Sequence, residues 1–324
     1  MKNKLTLTLD SAPDSIATRL MPGLLLSMAL LLGLQLALIN SAQARSYEDI
    51  VAAGRISVAV YRDFPPYAYE VDGKAVGLDV DLAREIATGL GLQLDLHWMI
   101  ADENLDDDLR NHVWKGHYLA RIEDEPMLRR EVADVMLRVP YDREFAYKVD
   151  PDGRVINDLV HFFGPYQREH WGLVYDSQRM EPFENLAVFQ YERVGVEIDS
   201  LPDFYLSSAF RGRLRNNVQH FSSTGLALEA LEQGTIPAVM GMRSQLQWGV
   251  TGLDGAERIK TADIPFPNLT KRHWDVGMAV KDSYRQLAYR IEDVVDQLVS
   301  SGKMQALFAR YGVEYSRPDR YRLP

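Results

Sequence analysis

Phe64, Pro65, Pro66 and Tyr67 stand where a short apolar strand, Ile56 to Val60, runs out. Adjacent prolines stiffen the backbone, so rings carried on that elbow meet a ligand with little entropy left to lose. The chemistry such a corner suits is recognition rather than bond making. Asp72-Gly73 then makes a hairpin turn and a helix starts at Gly77 to Asp81. This order sets backbone donors beside the rings, which is how an open α/β sheet builds a small-molecule site. Phe64 reads either as a ring of that site or as a cap on the core, and Tyr67 and Tyr69 read as core packing. Asp199 and Ser200 precede a helix beginning near Leu201. Their position suits holding an anion and suits capping the helix equally well.

Other reactive residue types are placed less tellingly. Asp102, Glu103, Asp106, Asp107 and Asp108 lack the spacing of a calcium loop, and acids at a helix start are favoured by its dipole. His112 and His117 are five residues apart, which puts them off one helical face. No metal site and no cofactor is therefore expected. With no cysteine, thiol catalysis and cysteine-built metal centres are excluded. There is no Gly-x-Ser-x-Gly, phosphate loop or His-Glu-x-x-His. An enzyme would need an acid-base pair in a cleft, for which only Asp142, Glu144 and Asp199 offer themselves, and a non-enzyme is expected.

Charge and hydropathy set the context. Lys2, Lys4 and Arg19 precede an apolar run from Leu20 to Ile39, and Ser41-Ala42-Gln43-Ala44 ends in the small-x-small pattern of a cleaved signal peptide. A membrane anchor is the competing reading, but the cleavage pattern favours export, with residues 1–44 removed and the remainder soluble in the periplasm. The chain has 36 basic and 46 acidic residues, a net charge of −10, which argues against nucleic acid or an anionic membrane as the main partner. Without disulfides, the exported part must be held by ordinary packing, for which 46% hydrophobic residues suffice.

Strand and helix signals alternate, predicting βαβ units in a mostly parallel sheet. Strands are expected at Ile56 to Val60, Leu92 to Trp98, Ala133 to Val139, Trp171 to Tyr175, Arg193 to Val196, Val218 to Phe221, Ala238 to Met242 and Asp275 to Val280. Helices are expected at Asp79 to Leu90, Leu105 to Lys115, Phe204 to Arg213, Thr224 to Gln233 with Thr224 as cap, Tyr284 to Ser300 and Lys303 to Tyr311. Tyr118 to Glu131, charged and poorly periodic, reads as a surface excursion.

In this order the motifs VAVYRDFPPY, GLDVDLAREIA, ADVMLRVPYDRE, FGPY, RVGVEIDS, LALEALEQGTIPAVM, DVGMAV and SGKMQALFARYG resemble the family 3 extracellular solute-binding proteins, periplasmic receptors of ABC importers. The resemblance implies a two-lobed α/β periplasmic-binding-protein fold, each lobe a mostly parallel sheet flanked by helices. Residues 45–170 with 273–324 would form one lobe and 171–272 the other, joined by two hinge crossovers near Trp171 and Trp274. A monomer would close on a ligand between the lobes.

The resemblance also implies roles. Arg143 matches the arginine that pairs with a ligand α-carboxylate, a task suited to its two-pronged guanidinium, with Asp142 beside it. Phe64 matches a ring flanking the ligand, Tyr61 a ligand-contact position, and Asp199-Ser200 a hydrogen-bonding turn of the second lobe. The expected function is capture of a small, carboxylate-bearing polar solute for an ABC permease. Two departures count against an ordinary amino acid: Ala238 to Met242 has no aspartate for an α-ammonium, and Val139-Pro140 replaces a hydroxyl residue. The missing aspartate, the charged insert Tyr118 to Glu131 and the aromatic segment FGPYQREHWGLVY also resemble the divergent branch associated with quinoprotein alcohol and methanol dehydrogenases, implying as an alternative an accessory protein whose partner is a periplasmic dehydrogenase.

Overall fold

The structure is a computed structural model and describes residues 47–117 and 131–322. The signal segment 1–44 and nearly all of the charged excursion lie outside the described residues. The strands are β1 (Arg55–Tyr61), β2 (Tyr69–Val71), β3 (Lys74–Val76), β4 (Gln93–Met99), β5 (Val135–Pro140), β6 (Val160–Asp176), β7 (Val194–Glu197), β8 (Val218–Phe221), β9 (Ala238–Met242), β10 (Ile259–Thr261) and β11 (His273–Lys281). All but the β2-β3 hairpin join one sheet in the order β4-β1-β5-β11-β6-β9-β7-β8, with β10 on β6.

That order makes an α/β architecture of two halves. β4, β1 and β5 are parallel, as are β9, β7 and β8, while β11 and β6 run antiparallel to their neighbours and join the two sets. β6 is 17 residues long, pairing with β11 from Val160 to His170 and with β9 from Trp171 to Tyr175. Sequence reading found only its second part as a strand, because Gly164 and Pro165 interrupt the first. The chain returns through Arg272 to β11, and the Trp171 and Trp274 rings meet there at 4.8 Å with their planes tilted by 46°.

Each half buries its own core. In the first, Leu82 and Ile86 of helix Leu78–Leu90 pack with Ile56, Val58 and Val60 of β1 and with Ile291 and Val295 of helix Arg285–Ser300. The helix stops at Gly91, whose left-handed φ of 69° lets its N–H reach back to Ala87 and Thr88. In the second, Leu186, Phe189, Val194, Val196, Leu206 and Met240 cluster. Two local expectations shift. Helix Leu105–Leu109 widens into a π turn at Arg110–Trp114. Ser223, not Thr224, caps helix Thr224–Glu232, accepting from Leu226 N–H at 3.2 Å. Among the described residues no helix is long and apolar enough to cross a membrane.

Tyr311 ties the C-terminal region to helix Leu78–Leu90: its hydroxyl donates to Asp81 and accepts from Gly77 N–H, both at 2.9 Å. Burial and the Asp81 carboxylate push that hydroxyl up to about 12. An unfolded tyrosine, with an ordinary value of 10.0, loses its proton first. Between these values the unfolded chain binds fewer protons, so stability falls as pH rises through the window. Urea midpoints at about pH 9 and about pH 11 should converge in Tyr311→Phe relative to the parent; an unchanged difference would refute the assignment.

Candidate functional site

β1 delivers the chain to the elbow at the C-terminal end of the sheet. Arg62 N–H bonds the Met99 carbonyl at 2.8 Å, Asp63 takes a φ of 53°, and Phe64 and Ala68 bond each other's backbone across a cis Pro65-Pro66 corner. The Phe64 ring lies 5.0 Å from that of Tyr67 and 6.2 Å from that of Tyr61. Phe64 thus keeps one side on a ring cluster and turns another to a cavity of about 280 Å³.

Asp63, Phe64 and Pro65 form one wall of this cavity. Glu197 at the end of β7, the Ser222-Ser223-Thr224-Gly225 turn, and Gln245 and Trp248 form the other. The cavity therefore lies between the two halves. Glu197 accepts from the Thr224 backbone N–H at 3.0 Å and the Thr224 hydroxyl at 2.9 Å. The donors at that helix start are thus taken by the protein's own carboxylate. Two acids, two rings, three hydroxyls and the Gln245 amide line the space, and among the described residues no lysine or arginine does. Such a lining favours a positively charged or hydroxyl-rich guest.

Behind the elbow runs a buried polar network. Arg138 interrupts the apolar run of β5 at a bulge, where Val139 pairs with Gly277 and Leu137 with Met278, and its φ is 62°. A bulge of this kind re-aims a side chain. The Arg138 guanidinium donates to Asp79 at 2.7 and 3.3 Å and to Gln167 at 2.9 Å, and lies 3.3 Å from the centre of the Tyr67 ring. Tyr166 donates to Asp79, Tyr67 to Glu169, and Gln167 to Glu169 and Ser244, each at 3.0 Å. Burial raises the Tyr67 and Tyr166 hydroxyls well above their ordinary value, and the adjoining carboxylates raise them further. The network fixes the elbow from behind and continues to Ser244 in helix Arg243–Thr251, which follows β9.

The residues expected from sequence are not brought together. Phe64 lines the cavity. Tyr61 is turned away, donating to Asp108 at 2.7 Å. Arg143 is exposed and shares with Asp142 a separate pocket of about 630 Å³ lined also by Tyr147, His161, Asp282 and Arg285. Asp142 caps the short helix Arg143–Ala146 and accepts from Lys271 at 2.6 Å. Asp199 is exposed, and Ser200 caps helix Leu201–Gly212 by accepting from Asp203 N–H at 3.3 Å.

Sequence reasoning missed Glu197, Trp248 and Arg138. A lone arginine inside ADVMLRV was a usable signal, since a charge in an apolar run needs a buried partner. One group of described residues has cation-holding geometry: Asp102, Asp108 and His112 have ligand atoms within 4.8 Å of one another. Burial holds His112 down at about 4, so its ring is neutral near pH 7, and His97 contacts it at 3.0 Å. Asp108 already accepts from Tyr61 and from the Asp102 N–H, so its oxygens are satisfied without an ion.

The two-part sheet, the double crossing and the cavity between the halves are those of the two-lobed periplasmic binding proteins. A solved ancestral cationic amino acid solute-binding protein superposes with a TM-score of 0.60 at 13% identity, covering 82% of this chain and 98% of that one. An amino acid ABC transporter substrate-binding protein from Streptococcus pneumoniae bound to L-arginine gives 0.53 at 20%, covering 82% and 97%. Residues 56–113 match the profile of the bacterial extracellular solute-binding proteins, family 3, the family that the sequence motifs also resemble. A probable ABC transporter arginine-binding protein, ArtJ of Chlamydia trachomatis, is 26% identical over 253 residues, 77% of this chain and 82% of the relative. Over residues 56–113 the chain is thus similar to the family 3 solute-binding proteins, and its fold is that of the solved binding proteins.

Proposed function

We propose that this protein captures a small solute bearing positive charge in the cavity between Phe64 and Glu197 and presents it to an ABC importer in the periplasm. The observation that carries this reading is the lining: Glu197 and Asp63 supply negative charge, Phe64 and Trp248 supply ring faces, and no described lysine or arginine lines the space, although Arg62 stands 3.8 Å from Asp63 outside it. The names of the relatives, which speak of arginine and cationic amino acids, point the same way. The lobes are residues 45–170 with 273–324 and residues 171–272, closing on the solute by movement at the two crossings. A carboxylate on the solute was expected because of Arg143. With Arg143 in another pocket, positive charge becomes the defining feature of the ligand. The dehydrogenase-accessory alternative gains no support from these relatives.

A thermal-shift screen with arginine, lysine, other amines and neutral amino acids tests the proposal, since a ligand of the native state raises its melting temperature. A cationic solute should stabilise the protein, and Glu197→Gln should weaken its binding roughly ten- to hundredfold. No stabilisation by any amine, or binding that survives Glu197→Gln and vanishes in Arg143→Ala, would defeat it.

A further inference from the structure

A second cavity, of about 860 Å³, opens beside the two chain crossings and shares no lining residue with the one at Phe64. Part of its wall is apolar, built from Trp171, Leu173, Leu246, Val250, Ile264 and Phe266. The rest carries Arg168, Arg243, Arg272 and Arg322 against only Asp263 and Glu314. In a chain of net charge −10 this is a local inversion of sign. Arg168 is committed to Asp275 at 2.7 Å and Asp319 at 2.5 Å. Arg272 and Arg322 are exposed, and among the described residues neither has a carboxylate within ion-pair distance. His170, also in the wall, is held below its ordinary value by burial and by Arg243, so the positive charge belongs to the arginines.

Arg243 is the informative member. It is 7% exposed, and its Nη1 donates to the Glu314 carbonyl at 2.7 Å and to Gln247 at 3.3 Å. Its Nε and Nη2 are buried and have no hydrogen-bond partner. Those two groups form one edge of the guanidinium, the pair of parallel donors that fits a carboxylate. Glu169 stands 3.8 Å from Nε, but its oxygens already accept from His170 N–H, Tyr67 and Gln167. Buried donors are rarely left unmade, and each such group calls for a partner.

We propose that this cavity is a second ligand site, for a small carboxylate with an apolar body. The carboxylate meets Arg272 and Arg322 at the mouth and the open edge of Arg243 in the floor, while the apolar body lies on Trp171, Leu246 and Phe266. That edge is separate from Gln247, which lines the cavity and accepts from Nη1. Trp171 and Leu173 belong to one crossing and Arg272 and His273 to the other, so an occupant also braces the hinge.

The probe is phenylacetate, with phenylacetamide as the uncharged control, titrated calorimetrically into the full protein. Phenylacetate should bind saturably with the amide silent. Arg272→Ala/Arg322→Ala, both at exposed positions, should weaken it about tenfold or more, and Glu197→Gln in the other cavity should leave it unchanged. The absence of saturable binding at millimolar phenylacetate would overturn the proposal, as would equal binding of the amide. So would loss of binding in Glu197→Gln with retention in the double arginine variant, which would put phenylacetate in the cleft. Melting temperatures of the unliganded variants show that each is folded.

Discussion

Arg138→Ala should destabilise this protein by roughly 3–5 kcal/mol, the usual cost of removing one partner of a buried ion pair. Asp79 is 3% exposed, and the arginine supplies two of the hydrogen bonds it accepts. Truncating Arg138 leaves that carboxylate in a medium where an uncompensated charge is costly, and leaves Gln167 Oε1 without its donor. It also strips a guanidinium from the Tyr67 ring, a contact worth about 2 kcal/mol when desolvated. Asp79→Asn should cost a similar amount for the converse reason. The pair is coupled, so Asp79→Asn/Arg138→Met should lose clearly less than the sum of the single losses. Urea unfolding of the four proteins measures this directly. Strict additivity, or a loss under about 1 kcal/mol in Arg138→Ala, would mean that the pair does not carry the network.

The same residue marks the limit of what sequence could reveal. The helix Leu78–Leu90 and strands β1 and β4 were legible because their apolar positions repeat locally and Gly91 stops the helix. Arg138 depends instead on a bulge against β11, a pairing between residues about 140 apart that no local pattern encodes. The cavity acid was sought in the strand after the Leu-Glu-Gln-Gly turn, where Ala238 to Met242 has none. β7 lies beside that strand, with Gly195 facing Val239, and it ends in Glu197. A carboxylate is thus supplied from the neighbouring strand, and only the sheet order shows it. Arg143 shows the converse: its motif was plain, but its guanidinium lines a different pocket from the one at Phe64. Phe64 was legible because its prolines act locally.

Gly77→Ala should be comparably disruptive and should reach the site. Gly77 has a φ of 127°, which residues with a side chain rarely adopt, and a Cβ there would stand 2.1 Å from the Tyr67 carbonyl oxygen. The close approach has a cause: the N–H groups of Leu78 and Asp79 bond the carbonyls of Pro66 and Tyr67 at 2.9 and 2.8 Å, so the helix start is docked on the elbow. Strain of roughly 1–3 kcal/mol at the backbone adds to roughly 1–3 kcal/mol of overpacking, and the atom that must yield is backbone rather than a side-chain tip. Moving the Tyr67 carbonyl moves Phe64, which it joins through Pro65 and Pro66, and lifts Tyr67 from Arg138. Gly73→Ala is the matched control, since Gly73 also has a positive φ, 71°, but open space around it; its loss should be only about 1 kcal/mol. Gly77→Ala should therefore lower the melting temperature much further than Gly73→Ala, and should weaken solute binding in whatever fraction remains folded. Equal losses in the two variants would show that backbone conformation alone sets the requirement for glycine, and that the helix start does not hold the elbow in place.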